Sequence, residues 1–174
     1  SFADVDSSVA NYNEIYAAKD MGLINGYSDG AFRPENSVSV IEAAVCMTRV
    51  LGYNVKAEGL GGYPTGYYTV INELRLMEGV KATYNENLSF NDFVQLVFNA
   101  LHTNVMAATS FGDDPGYEVK SGVTLLKSSF GISYIDGIVS AIDITSLFGD
   151  NNVSPYHAVI GDETFCVGNY NIEP

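Results

Sequence analysis

Lysine and arginine are scarce in this chain: eight residues against 21 acidic ones, a formal net charge of −13. A surface of that sign repels phosphate backbones and no basic patch offsets it, so nucleic-acid binding is not expected. Long apolar runs are also missing, and no stretch approaches the roughly 18 residues that a membrane-crossing helix needs. Cysteine occurs only at Cys46 and Cys166, never as a C-x-x-C pair, which leaves zinc and thioredoxin-like chemistry without support. Cys46 sits among Ala43, Ala44, Val45 and Met47 and reads as a small core residue. His102 and His157 have no nucleophile partner at a recognisable spacing. The acidic residues are numerous enough to form a carboxylate pair, yet none lies in a catalytic motif. The expectation is a protein that is not an enzyme and needs no cofactor or metal. The chain opens at Ser1 without a charged n-region or an apolar h-region, so either a signal peptide has been removed or this is part of a longer protein.

What is present is globular and repetitive. Apolar residues make up 47 % and charged ones 17 %, enough to bury a core and too few charges for disorder or a coiled coil. NSVSVIEAAVCMTRVLGY (36–53) and ENLSFNDFVQLVFNALHT (86–103) align at an offset of 50 residues, with Ser39 on Ser89, Glu42 on Asp92 and Leu51 on Leu101. Each copy reads as a capping box: the serine accepts from the backbone three residues on, and the acid there reaches back. Ala44, Met47 and Leu51, and likewise Phe93, Val97 and Leu101, recur at helical spacing and predict one buried stripe per helix. A preceding helix is expected from about Val9 to Met21, capped by Ser7 or Ser8 and ended by Gly22. Its counterpart is expected from Gly66 or Tyr67 to Glu78, with Tyr67, Ile71 and Leu74 in phase, stopping at Gly79. On that pairing the second copy has lost the GYSDGAFRP segment of the first. The cluster of Tyr63, Tyr67 and Tyr68 fits a contact between repeats.

From about Ala107 the pattern changes. SFGDDPG (110–116) reads as a linker or turn and TLLKSSFG (124–131) as a short helix at most. YIDGIVSAID (134–143), YHAVI (156–160) and TFCV (164–167) read as strands, with Gly161-Asp162 as a hairpin turn.

The first half resembles the S-layer homology module of bacterial cell-surface proteins. Phe2-Ala3-Asp4-Val5 matches that family's F-x-D-V opening, and Gly22 to Pro34, GLINGYSDGAFRP, matches its loop position by position. GYPTGYYTVINELRLMEGV and LSFNDFVQLVFNAL resemble a degenerate second copy, so the resemblance covers residues 1 to about 104. It implies two helix–loop–helix repeats packed as a small bundle (1–53 and 54–106); with the linker, short helix and partial β-domain read from the residue pattern of 107–174, the chain is expected to be α+β. It also implies an extracellular place at the cell wall or cell surface. Partners of such a module would be a secondary cell-wall polymer or other surface-protein subunits. The family uses three repeats and an arginine in a T-R-A-E-like helix start to hold a carboxylate of the polymer. Here Val40 and Phe90 stand in that place and a third repeat is absent.

Asp4, Tyr27, Asp29, Phe32, Arg33 and Glu42 are the candidate glycan-binding residues, and each has a plainer structural reading. Tyr27 and Phe32 either stack on sugar rings or plug the gap between helices, and Pro34 fixes the turn. Asp29 lacks the spacing of a calcium loop and suits turn stabilisation. Asp4 is expected to bracket the first helix, and Arg33 to pair with Glu35 or solvent. Three functional readings stay open: a wall-attachment module or structural spacer, a protein–protein interaction module, and an accessory region of a secreted hydrolase.

Overall fold

The computed structural model describes residues 2–110, 116–135, 137–142, 145–147, 149 and 153–166. The chain divides into two compact units, residues 1–133 and 134–174, and the arrangement is α+β.

In the first unit, helix α1 (Tyr12–Asp20) starts later than its periodicity predicts. Ser8 does not cap it; Asp6 instead accepts from both the backbone N–H and the hydroxyl of Ser8. The chain enters the helix through Asn11, at φ 57°. Gly22, at φ 70°, then closes it: Leu23 donates to Ala18 O and Gly22 to Lys19 O, both at 2.9 Å, a Schellman motif. Helix α2 (Val40–Val50) begins with the expected Ser39–Glu42 capping box, worth about 1 kcal/mol in such settings. It ends in the same motif at Gly52, with Tyr53 donating to Thr48 O at 3.0 Å. Ala44 and Leu51 are fully buried, as their spacing predicts.

A short helix not foreseen from the sequence, α3 (Asn54–Gly59), packs against α4 (Thr65–Glu73). The contact is made at Gly66, where a Cβ would lie 1.9 Å from Ala57 O. Helix α4 ends at Glu73 rather than at Glu78, because the Schellman closure is made by Arg75: Leu76 donates to Ile71 O and Arg75 to Asn72 O, both at 3.1 Å. Arg75 holds φ 55° without being glycine. The sequence pairing of Gly79 with Gly22 is therefore corrected. Helices α1 and α4 are both nine residues long and lie 53 residues apart, so Gly79 corresponds to Gly26. Twelve residues separate Gly26 from Ser39 and nine separate Gly79 from Ser89; the second loop is shortened by three residues, not deleted.

Helix α5 (Phe90–Leu101) also departs from expectation. Its buried side is Asp92, Leu96 and Ala100, whereas Phe93, placed in the predicted buried stripe, is 41 % exposed. The helix is apolar on more than one side, so periodicity alone could not select the inward face. The helix starts of α2 and α5 pair through an antiparallel bridge, Ser39 with Asn87. Val40 N and Ile41 N donate to Glu86 O and Tyr84 O at 3.0 and 2.9 Å, satisfying donors that the first turn of a helix leaves open. A core of Ile41, Val45, Leu51, Tyr53, Tyr67, Val70, Ile71, Leu76 and Leu96 joins both helical pairs.

Strands β1 (Asn104–Ala108) and β2 (Tyr117–Thr124) form an antiparallel hairpin where the sequence suggested only a linker. Residues 111–115, most of the SFGDDPG turn, lie outside the described residues. Met106 donates to Leu51 O at 2.9 Å, and a Cβ at Gly52 would sit 2.2 Å from Met106 O, so the hairpin closes on the end of α2. Helix α6 (Leu125–Phe130) confirms the short-helix reading, with Thr124 as its cap and Gly131 at φ 67° behind it.

The second unit is one antiparallel sheet in the order β4 (Thr145–Ser146), β3 (Val139–Ile142), β5 (His157–Ile160), β6 (Glu163–Cys166). The Gly161-Asp162 turn joins β5 to β6 as expected, with Ile160 opposite Glu163 and Gly161 at φ 63°. Asp136, Asp143 and Val167, at the margins of the predicted strands, lie outside the described residues.

Candidate functional site

The loop between α1 and α2 gathers all six residues singled out in the sequence. Asp4 does not bracket α1. Its Oδ1 accepts from Phe32 N and its Oδ2 from Arg33 N, both at 2.7 Å, and Ala3 N donates to Gly30 O at 3.0 Å. The opening tetrapeptide thus lies across the far end of the loop and fixes it. The N–H of Phe32, with that of Arg33, holds the Asp4 carboxyl below its ordinary range, because hydrogen bonds to the charged form favour it. Phe2 is buried and stacks on Phe32 at 5.1 Å, and Lys19 Nζ lies 3.9 Å from the Phe2 ring centre. Gly26 is required where it stands: at φ 69°, a Cβ would meet Phe2 Cε1 at 2.5 Å and Ala31 O at 2.6 Å.

Asp29 stabilises its own turn, as read from the sequence, accepting from Ala31 N at 3.1 Å. Its other oxygen pairs with Arg33 Nη2 at 2.6 Å, so Arg33 pairs with Asp29 rather than with Glu35. The Ala31 N–H first, then the Arg33 charge, lowers the Asp29 pKa. Arg33 itself sits at φ 59°, with its guanidinium 4.2 Å from the Tyr27 ring centre. The Tyr27 hydroxyl donates to Glu42 Oε1 at 3.2 Å, while Glu42 Oε2 accepts from the N–H and hydroxyl of Ser39. Burial pushes the Glu42 carboxyl up, but those donors outweigh it and the net shift is downward. Burial, followed by the Glu42 charge, raises the Tyr27 phenol. The side chains of Asp29, Arg33, Tyr27 and Glu42 form one continuous chain of contacts, Asp4 joins it through the amides of Phe32 and Arg33, and the Phe32 ring packs on Phe2.

The second repeat repeats the device in shorter form. Asp92 Oδ2 accepts from the Ser89 hydroxyl at 2.7 Å and Oδ1 from Lys81 N at 2.8 Å. An acid in the first turn of the second helix therefore ties down the turn after Gly26 or Gly79 in both repeats. The Lys81 N–H, then the Ser89 hydroxyl, lowers the Asp92 pKa.

Val40 and Phe90, which stand where the resembled motif has arginine, lie in opposite environments. Val40 is completely buried, whereas Phe90 is 78 % exposed.

Arg49, which the sequence reading did not single out, ties the repeats together: its Nε donates to the Tyr67 hydroxyl and its Nη1 to Leu23 O, both at 3.2 Å. The Tyr67 hydroxyl in turn donates to Glu58 Oε1 at 3.1 Å. Tyr68 meets Tyr84 edge-on at 4.6 Å, while Tyr63 is exposed. No local pattern marks Arg49, since its partners are 18 and 26 residues away. Burial raises the Cys46 thiol, consistent with an unreactive packing residue. Among the described residues, no group of three or more histidines, cysteines or acids could hold a metal ion, and no helix is long and apolar enough to cross a membrane.

Residues 1–44, which hold the F-x-D-V opening and the loop locked by it, match the S-layer homology domain. Two curated bacterial proteins are similar over most of the chain. The middle cell wall protein of Brevibacillus brevis is 26 % identical over 127 residues, covering 73 % of this chain and 12 % of that protein. The surface layer protein of Brevibacillus choshinensis is 25 % identical over 131 residues, covering 73 % and 11 %. The chain thus spans about an eighth of the length of these relatives. The resemblance read from the sequence holds over residues 1–44, and it places the chain at the cell surface.

Proposed function

We propose that this chain is a non-catalytic scaffold and assembly spacer within a larger exported surface protein, with polymer anchoring weakened or lost. The observation that carries this is the state of the helix-start motif. A ligand-holding arginine needs a solvent-facing position, and its place in the first repeat is filled by fully buried Val40. The neighbouring polar side chains Asp4, Asp29 and Glu42 are engaged in holding the loop. In this reading the signature residues serve the fold of the module, and the core joining two repeats makes it a stiff segment. Calorimetric titration of purified secondary cell-wall polymer into the protein tests it. No heat of binding is expected, and micromolar binding sinks the proposal.

One observation favours the second reading, attachment to cell-wall polysaccharide. The Arg33 guanidinium lies over the Tyr27 ring with its side chain 43 % exposed, which offers a cation and an aromatic edge to an acidic sugar. On that reading Asp4, Tyr27, Asp29, Phe32, Arg33 and Glu42 form or support the contact. Arg33→Ala would then abolish the titration signal, with helix content unchanged.

A further inference from the structure

The outer side of α5 carries a large uncovered apolar stripe. Phe90 is 78 %, Val94 49 % and Phe98 53 % exposed, with Phe93 at 41 % beside them; Val97 and Leu101 are half-covered along the same side. Residues four apart lie one above another on a helix, so Phe90, Val94 and Phe98 form a continuous ridge about 12 Å long. The helix itself brings no charge to that side: Asn91, Gln95 and Asn99 are its polar residues, and its one charged side chain, Asp92, is buried and bonded inward; at the far end the His102 ring packs on Phe98 at 4.2 Å.

We propose that this ridge pairs with the same ridge of a second copy of the chain, as an antiparallel helix pair about a twofold axis at Val94. Two features select that occupant. The ridge is symmetric about Val94, so antiparallel docking sets Phe90 of each copy beside Phe98 of the other and Val94 against itself, the self-complementarity that a twofold interface demands. The ridge is also free of charge on a chain of net charge −13, so two copies can meet there with the least like-charge repulsion. With roughly 200 Å² per phenylalanine, the exposed fractions above give about 400 Å² per copy, and the flanking residues bring the total toward 1,000 Å². That is the size of a weak, reversible interface rather than of an obligate dimer. The pairing goes beyond the spacer role and does not depend on polymer binding.

Sedimentation equilibrium of the 174-residue protein, up to about 1 mM, is expected to show mass rising toward a dimer. The rise steepens as salt goes from about 0.05 to 0.5 M, because screening relieves repulsion between the copies. Val94→Glu, and separately the more exposed Phe90→Glu, is expected to keep the protein monomeric with its helical circular dichroism intact. In a Cys166→Ser background, Val94→Cys is expected to cross-link through its symmetric partner at least tenfold faster than Asn91→Cys. A protein that stays monomeric at the top concentration overturns the proposal. So does a dimer unaffected by either glutamate, or equal cross-linking of the two cysteines, as would follow if another segment or partner covered the ridge.

Discussion

Replacing Gly26 by alanine separates the two demands that the signature loop makes on that position. The first is conformational: at φ 69° a side chain costs about 1–2 kcal/mol. The second is steric. The new Cβ would lie 2.5 Å from Phe2 Cε1 and 2.6 Å from Ala31 O, and Ala31 O already accepts from Tyr27 N at 2.8 Å. Relief requires either breaking that bond or expelling Phe2, which is 6 % exposed and stacked on Phe32. Losing half of a buried phenylalanine's transfer free energy adds about 1–1.5 kcal/mol, for a total of about 2–3.5 kcal/mol. Gly22 supplies the control, with φ 70° and nothing within 4 Å of the methyl that alanine would add; its alanine variant bears the conformational cost alone. Among the described residues all the helices lie in the first unit, so far-ultraviolet circular dichroism follows that unit during urea or thermal unfolding. At about 3–4 °C per kcal/mol for a unit of this size, Gly26→Ala should melt roughly 6–14 °C below the parent and Gly22→Ala, at the same conformational cost without the steric one, roughly 3–8 °C below. Equal shifts for the two variants would refute the claim that Phe2 and the loop backbone close around Gly26.

Restoring the arginine of the resembled motif should fail in the first repeat and succeed in the second. Val40→Arg buries an unpaired charge and should cost about 3 kcal/mol or more in urea unfolding, whereas Phe90→Arg at an exposed site should stay within about 0.5 kcal/mol. Gly66→Ala places its methyl 1.9 Å from Ala57 O and 3.2 Å from Leu60 C. Both are backbone atoms, so α3 and α4 must separate; a loss of about 3 kcal/mol is expected, and an unchanged urea midpoint would contradict that packing. Acid should unfold the first unit. Asp4, Asp29, Glu42 and Asp92 all have folded pKa values below their ordinary ones, so their stabilisation is complete above the unfolded values near about 4 and is lost as pH falls through the folded ones. Equal urea midpoints at neutral and acidic pH would count against it, and Asp4→Asn should flatten the acid limb.

The parts legible from the sequence are those whose causes are local. The starts of α2 and α5 were readable because Ser39 with Glu42, and Ser89 with Asp92, lie three residues apart and act on each other. Helix α6 was readable from Thr124 and Gly131 for the same reason. The closure of α1 was legible too, because Gly22 signals it locally; that of α4 was not, because Arg75 does the same work without glycine and Gly79 is the first glycine that follows. The β1–β2 hairpin was missed because it is stabilised by docking on Leu51 and Gly52, about 55 residues earlier. The six candidate site residues were visible through the loop motif, yet the roles of Asp4 and Arg33 were not. Asp4 bonds to amides 28 and 29 residues away, and no spacing rule reports a carboxylate that serves a distant backbone.

The contrast between Val40 and Phe90 follows from the order of the repeats. The loop of the second repeat lies over the first turn of α2, where Glu86 O and Tyr84 O accept from Val40 N and Ile41 N. Anything at residue 40 is thereby carried into the seam between repeats, where valine buries fully and contributes about 1.5–3 kcal/mol as an apolar side chain. Among the described residues, no backbone donor or acceptor of another repeat reaches Phe90 or Asn91, so residue 90 remains at the surface. The burial of residue 40 therefore comes from the second repeat's loop lying across the start of α2. A valine in the covered copy closes the seam against water, and a charged group there would have to be matched by a partner inside it. The uncovered copy has no such constraint, and there the sequence places phenylalanine at the head of the apolar ridge of α5. The side chains at these two positions thus have two different physical consequences: Val40 makes a dry seam within the chain, and Phe90 heads an apolar ridge at its surface.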